Sequence, residues 1–123
     1  MITGFVTSNR EAVIRLVVRG SGNQETQIEA VIDTGFNGFL TLPSQLITNL
    51  ALPFAGTTRA TLGDGSEADL DVFEATVLWD NQDRDLVIFA AEGEALVGMS
   101  MLSGYRVTLE VEDGGAVTIE ALS

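Results

Sequence analysis

The chain has 123 residues, 46% of them hydrophobic and 20% charged, which is enough for one ordinary domain with a real core and argues against a disordered chain. Eighteen acids stand against six arginines and no lysine, a net charge of -12, so phosphate backbones and anionic membrane surfaces are disfavoured as partners. Histidine and cysteine are both absent, which excludes Ser-His and Cys-His catalysis, zinc-thiolate sites and disulfides, and leaves hydrolytic chemistry to carboxylates, hydroxyls, arginine or an oxygen-bound metal.

The start, Met1-Ile2-Thr3-Gly4, carries no basic stretch of the kind that opens a signal peptide. The longest apolar run, Leu86 to Ala91, is far short of the roughly 20 residues that span a bilayer. The expectation is a soluble cytoplasmic protein, with residues 1–123 forming one domain.

Val13, Leu16 and Val18 lie in a β-branched run that ends at the turn cluster Gly20-Ser21-Gly22-Asn23. Ile28 to Ile32 is a second run, and the two should pair as a hairpin. Gly38 to Leu42 reads as a short strand. Pro43 then opens Ser44 to Leu50, where Leu46, Ile47 and Leu50 fall at helical spacing and Pro53 follows as a stop.

Arg59 to Leu62 and Ala68 to Trp79 flank Gly63-Asp64-Gly65-Ser66, a hairpin-turn signature. Asp80 to Asp85 reads as a polar turn. Leu86 to Ala91 reads as a strand buried on both faces. Leu96-Val97-Gly98 leads into a helical turn or two at Met99 to Leu102. Strands at Tyr105 to Val111 and Val117 to Leu122 close the chain, with Glu112 to Gly115 turning between them. The number and spacing of short strands predict an all-β fold, a small closed barrel or sandwich with one or two short helices.

The stretch Ala30-Val31-Ile32-Asp33-Thr34-Gly35-Phe36 ends an apolar strand on an acid. Removing a carboxylate from water costs several kcal/mol unless it is paired or neutralised. Two carboxylates a few ångströms apart cannot both ionise, so they share a proton. The ionised member can then take a proton from water while the other donates to a carbonyl oxygen under attack. Thr34 can anchor the loop through its hydroxyl, and Gly35 permits a sharp change of direction. On three residues alone, a simple turn is the commoner reading.

The wider pattern resembles the retropepsin-like (retroviral-type) single-lobe aspartic proteases, and their bacterial members more than the viral ones. Ala30 to Gly35 is similar to that family's active-site loop. Leu96-Val97-Gly98 resembles its second signature of two apolar residues and a glycine before a short helix. Leu62, Gly63, Asp64 and Gly65 stand in the order of the family's flap. The resemblance runs from about Val13 to the last strand. It implies a fold of the acid-protease type and an aspartic endopeptidase without metal or cofactor, with Asp33 as the catalytic residue. It further implies that Thr34 and Gly35 support the loop, and that Leu62, Gly63, Asp64, Gly65 and Phe36 face a protein or peptide substrate.

Asp-Thr-Gly occurs once in the chain, so the resemblance implies a homodimer with one Asp33 from each subunit, braced by Thr34 and by an intersubunit sheet of terminal strands. Two positions depart from the family. Phe36 stands where a small residue is usual, and Met99 where viral members carry an arginine. A peptide-binding or assembly module of the same fold remains the alternative, and an acidic structural β domain the third reading.

Other clusters point elsewhere. Glu67, Asp69 and Asp71 share one strand face, but the EF-hand pattern fails because its sixth and twelfth positions would be Asp69 and Ala75. They read as a solvated hairpin face. Ser44 and Ser100 lack an activating base, and Trp79 reads as a strand-end packing residue.

Overall fold

The computed structural model describes residues 1–61 and 64–123. Ten strands hydrogen-bond into one sheet, with two short helices between them. The strands are β1 (Ile2–Val6), β2 (Ala12–Arg19), β3 (Glu25–Ile32), β4 (Thr41–Leu42), β5 (Phe54–Thr61), β6 (Glu67–Trp79), β7 (Gln82–Ala90), β8 (Ala95–Val97), β9 (Tyr105–Leu109) and β10 (Ala116–Ala121). The helices are α1 (Ser44–Asn49) and α2 (Met99–Leu102).

β2 organises the sheet. One edge pairs with β3 along its length, from Val13↔Val31 to Arg19↔Glu25, as the expected hairpin. The other edge is divided between β1 near its start and β6 near its end. The long path runs β4-β7-β6-β2-β1-β10-β9, and β8 joins β3 in parallel. Alternation drives this arrangement. In β3, Glu25, Gln27 and Glu29 face solvent, while Ala30 is fully buried. Ile14, Val18, Leu40, Leu42, Val77, Trp79, Ile88, Val97, Met101, Val117 and Ile119 meet in one core. Trp79 packs its ring edge-to-face on Tyr105 inside that core, 5.7 Å between centroids.

The expected closed barrel is not what forms. The strand ladders leave open ends, and between β8 and β4 only a single bridge, Leu40↔Val97, takes the place of a ladder. Two-residue β4 is too short to carry more. The expected strand from Gly38 therefore shrinks to Thr41–Leu42, because the carbonyls of Gly38 and Phe39 bond to the start of α2 instead.

The polar turn predicted over Asp80 to Asp85 contracts to Asp80 and Asn81. Both take positive φ (51° and 66°), so Gln82 already faces Trp79 across the ladder. Two such residues make the tight turn whose twist matches paired strands, and Asp and Asn tolerate that backbone better than most residues. β7 is not buried on both faces either. Ile88 is fully buried while Val87 is 38% exposed, as in an antiparallel strand covered on one side.

The terminal strands spend most of their edges inside the chain. β1 pairs with both β2 and β10, and β10 pairs with both β1 and β9. Among the described residues, no helix is long and apolar enough to cross a membrane.

Candidate active site

Asp33 follows β3 directly. β3 and β8 run parallel in the register Ala30↔Ala95, Val31↔Leu96, Ile32↔Val97, and the Asp33 N–H extends that ladder by donating to the Val97 carbonyl at 2.9 Å. The first sequence signature is thereby set beside Leu96, Val97 and Gly98, the second. The Gly35 N–H donates to Asp33 Oδ1 at 2.9 Å, and the Phe36 N–H to the Asp33 carbonyl at 3.2 Å. The loop thus orients its own carboxylate from two residues downstream. Asp33 is half-buried, whereas Thr34, Gly35 and Asn37 are exposed.

Gly98 lets the loop close. A Cβ there would stand 2.2 Å from the Gly38 carbonyl oxygen and 2.6 Å from the Phe36 ring. With only hydrogen at that point, three backbone bonds form across the gap: Gly98 N–H to Phe39 O at 3.0 Å, Met99 N–H to Phe36 O at 2.8 Å and Ser100 N–H to Gly38 O at 3.2 Å. The Ser100 hydroxyl adds a bond to the Asn37 carbonyl. The start of α2 and the Asp33 loop therefore form one hydrogen-bonded unit.

Phe36 turns inward. It is 7% exposed and packs edge-to-face on Phe89 at 5.6 Å. As an expected substrate-facing residue it offers little surface in this chain, and its ring does not project above the loop. Met99, where the viral proteases that the sequence resembles carry arginine, is 46% exposed. Arginine serves this unit from another strand. The Arg84 guanidinium of β7 lies 5.6 Å over the Phe39 ring and donates to the Met101 carbonyl at 3.5 Å, joining loop and helix.

Sequence reasoning passed over Arg84 and also Thr41. Thr41 is 3% exposed, and its Oγ1 accepts the Leu96 N–H at 2.9 Å, bracing β8 from the side opposite β3. A lone threonine in Phe39-Leu40-Thr41-Leu42 was its only signal. Arg84 lay within the stretch read as a turn and gave none.

The second predicted element is the β5–β6 hairpin, paired from Phe54↔Phe73 to Thr61↔Glu67. Leu62 and Gly63, two of the expected flap residues, lie outside the described residues. At Asp64, Oδ1 accepts both the Ser66 hydroxyl at 2.6 Å and the Ser66 N–H at 2.9 Å, which holds its carboxyl below the usual range. Gly65 takes φ +85° to complete the turn. Among the described residues no hydrogen bond joins this tip to the Asp33 loop. Glu67 and Asp69 pair with Arg59 at 3.2 and 3.4 Å, and Asp71 accepts from Thr57, as a solvated face does. Among the described residues no three acids cluster tightly enough to hold a metal ion.

Cavities open to solvent occur among the described residues. One of about 470 Å³ is lined by Arg19, Pro53, Glu74, Thr76, Asp85 and Val87, and one of about 230 Å³ lies between α1 and β6. Neither is lined by Asp33.

No protein-family profile and no curated protein sequence matches this chain. Among solved structures it is similar to a retropepsin-like aspartic protease from Rickettsia conorii, with a TM-score of 0.59 over 99% of this chain and 91% of that one. The fold is retropepsin-like. Sequence identity is 15%, so the likeness is one of fold.

Proposed function

We propose that the protein is an aspartic endopeptidase that works as a homodimer, with its site assembled from two copies of the Asp33 loop. The observation that carries this reading is the setting of Asp33. A carboxylate ends an apolar strand, half-buried, with its own loop donating to one oxygen and a crowded glycine locking that loop to the following helix. A simple turn accounts for the bond to Asp33 Oδ1, but not for the end of an apolar strand or for the crowded Gly98 that ties the loop to α2.

In the proposed reaction the two Asp33 carboxyls share one proton across the two-fold axis and titrate as a unit. The ionised one removes a proton from a water molecule as its oxygen attacks the peptide carbonyl carbon. The protonated one donates to the carbonyl oxygen. Collapse of the tetrahedral adduct breaks the C–N bond as the Asp33 that took water's proton passes it to the leaving amine, and the other Asp33 takes back the proton it had given to the carbonyl oxygen. Thr34, exposed at the loop, braces the partner loop, and Gly35 holds Asp33 Oδ1. The β5–β6 hairpin, with Asp64 and Gly65 at its turn, covers an extended peptide bound as an added strand. No metal or cofactor takes part.

The test is cleavage of an unfolded protein between strongly and mildly acidic pH. Wild type is expected to cut, and Asp33→Asn to lose at least about a thousandfold in rate, because in a homodimer the substitution removes both carboxyls and with them both proton-transfer roles. A purified dimer that cuts nothing across that range overturns the peptidase reading and favours a peptide-binding or assembly module on the same fold.

A further inference from the structure

β9 is an edge strand. It pairs with β10 on one side, and among the described residues nothing pairs with the other. The bonds from Glu110 N–H to Ala116 O and from Leu122 N–H to Gly104 O set its parity. Even-numbered residues turn their backbone groups toward β10, so Tyr105, Val107 and Leu109 turn theirs outward to the free edge. An unpaired row of this kind is a template for another strand. Its apolar face is incompletely covered. Tyr105 and Val107 pack on the core, whereas Leu109 is 42% and Val111 66% exposed. On the opposite face, Arg106, Thr108 and Glu110 are exposed. Arg106 takes part in none of the ion pairs found among the described residues, whose arginines are Arg15, Arg19 and Arg59.

The segment is complementary to itself. Laid antiparallel on a second copy about a two-fold axis at Thr108, it sets Val107 against Leu109 and Arg106 against Glu110, each twice. Val107 and Leu109 then fall at hydrogen-bonded positions, as their outward backbone groups require. Arg106, Glu110 and the two Thr108 residues fall at non-hydrogen-bonded positions, where side chains come closest. The exposed Leu109 and Val111 are carried toward the second chain's apolar face. With the axis one residue earlier, Arg106 faces Thr108 and Glu110 faces Gly104, and both charges go unmatched. One residue later, Arg106 faces Glu112, which is already in the turn bonded to Gly115.

We propose that β9 is the strand through which two copies pair, antiparallel about Thr108. The proposal rests on the reading that two chains complete the Asp33 site, and it names the surface that joins them. The terminal strands are not free for this role, because β1 and β10 already pair within the chain. β9 starts three residues after α2 ends, and α2 is the helix bonded to the Asp33 loop, so the pairing strand and the loop share a support.

The chain has no cysteine, so Thr108→Cys places a single thiol on the axis. The opposed Cα atoms of such a pair lie about 4.5 Å apart, within disulfide range. Mild oxidation of Thr108→Cys is expected to give mostly covalent dimer, and Arg106→Cys little, since its two thiols would lie four residues apart along the strands. Equal cross-linking of the two variants overturns the proposal, as does a strict monomer by sedimentation. Arg106→Glu and Glu110→Arg are each expected to raise the dimer dissociation constant about tenfold or more, and the double variant R106E/E110R to restore it. Weakened singles without that rescue overturn the register. A dimer that cleaves peptide but fails both tests removes this pairing and leaves the peptidase. A dimer that cross-links at 108 but never cleaves removes the peptidase and leaves the pairing.

Discussion

The Asp33 loop and the β5–β6 hairpin both turn on glycine, for opposite reasons. At Gly98 the constraint is space, because a methyl group would overlap the Gly38 carbonyl and the Phe36 ring. At Gly65 there is nothing within 4 Å of a Cβ, and the constraint is the backbone, held at φ +85°. One region is held by packing and by bonds that cross between distant parts of the chain. The other is held by its own ladder and by exposed ion pairs of small individual worth. A half-buried carboxylate needs the first kind of support to keep its geometry. A hairpin of the second kind opens locally at smaller cost, because few buried contacts are lost.

The largest expected effect tests the crowded glycine. Gly98→Ala forces backbone apart at Gly38 and Phe36 and should cost about 3 kcal/mol or more, seen as a fall of roughly 10 °C in Tm. Next is Thr41→Val, which keeps the shape of a buried side chain but strands the Leu96 N–H. A loss of about 1–3 kcal/mol in denaturant unfolding is expected. Gly65→Ala comes third at about 1 kcal/mol, since only the dihedral is strained, and the fold should otherwise be intact by circular dichroism. If Gly65→Ala costs as much as Gly98→Ala, the contrast between the two regions is lost.

The smallest effects lie in pH dependence and carry opposite signs. Glu92 is held below the usual carboxylate range by the Ser44 hydroxyl and N–H at the start of α1. A lowered folded pKa stabilises at neutral pH, and that contribution is lost as pH falls through it. Glu11 is pushed up by its hydrogen bond with Glu94 and by their mutual charge, so its strain at neutral pH is relieved on acidification. Ser44→Ala should therefore be less stable than wild type at pH 7, with the gap closing toward pH 3. Glu11→Gln should be slightly more stable at pH 7, with that gap closing in the same direction. Urea midpoints measured across the range would check both signs.

Much of this fold was legible in order. The β2–β3 hairpin, α1, the β5–β6 hairpin, α2 and the last two strands follow from β-branched runs, turn residues and one helical spacing, all of which are local signals. β1 gave little signal, because Ile2 to Val6 is short and contains Gly4 and is held by partners on both edges. The Asp80–Asp85 stretch misled because polar residues on the solvent face of a strand look like a turn. What separates them is whether two residues or six are needed to reverse the chain, and the twist of the paired strands decides that.

The sequence by itself determined the chemistry that remains possible: no histidine, no cysteine, one Asp-Thr-Gly after an apolar strand, and an apolar pair with glycine far downstream. Those facts are independent of conformation. Only the tertiary structure decided that Val97 meets Asp33, that Gly98 is indispensable for space, that Phe36 points inward, and that Thr41 and Arg84 serve the same unit. Each of those joins residues dozens of positions apart. Contacts of that range depend on which strands share an edge, and local spacing carries no record of that.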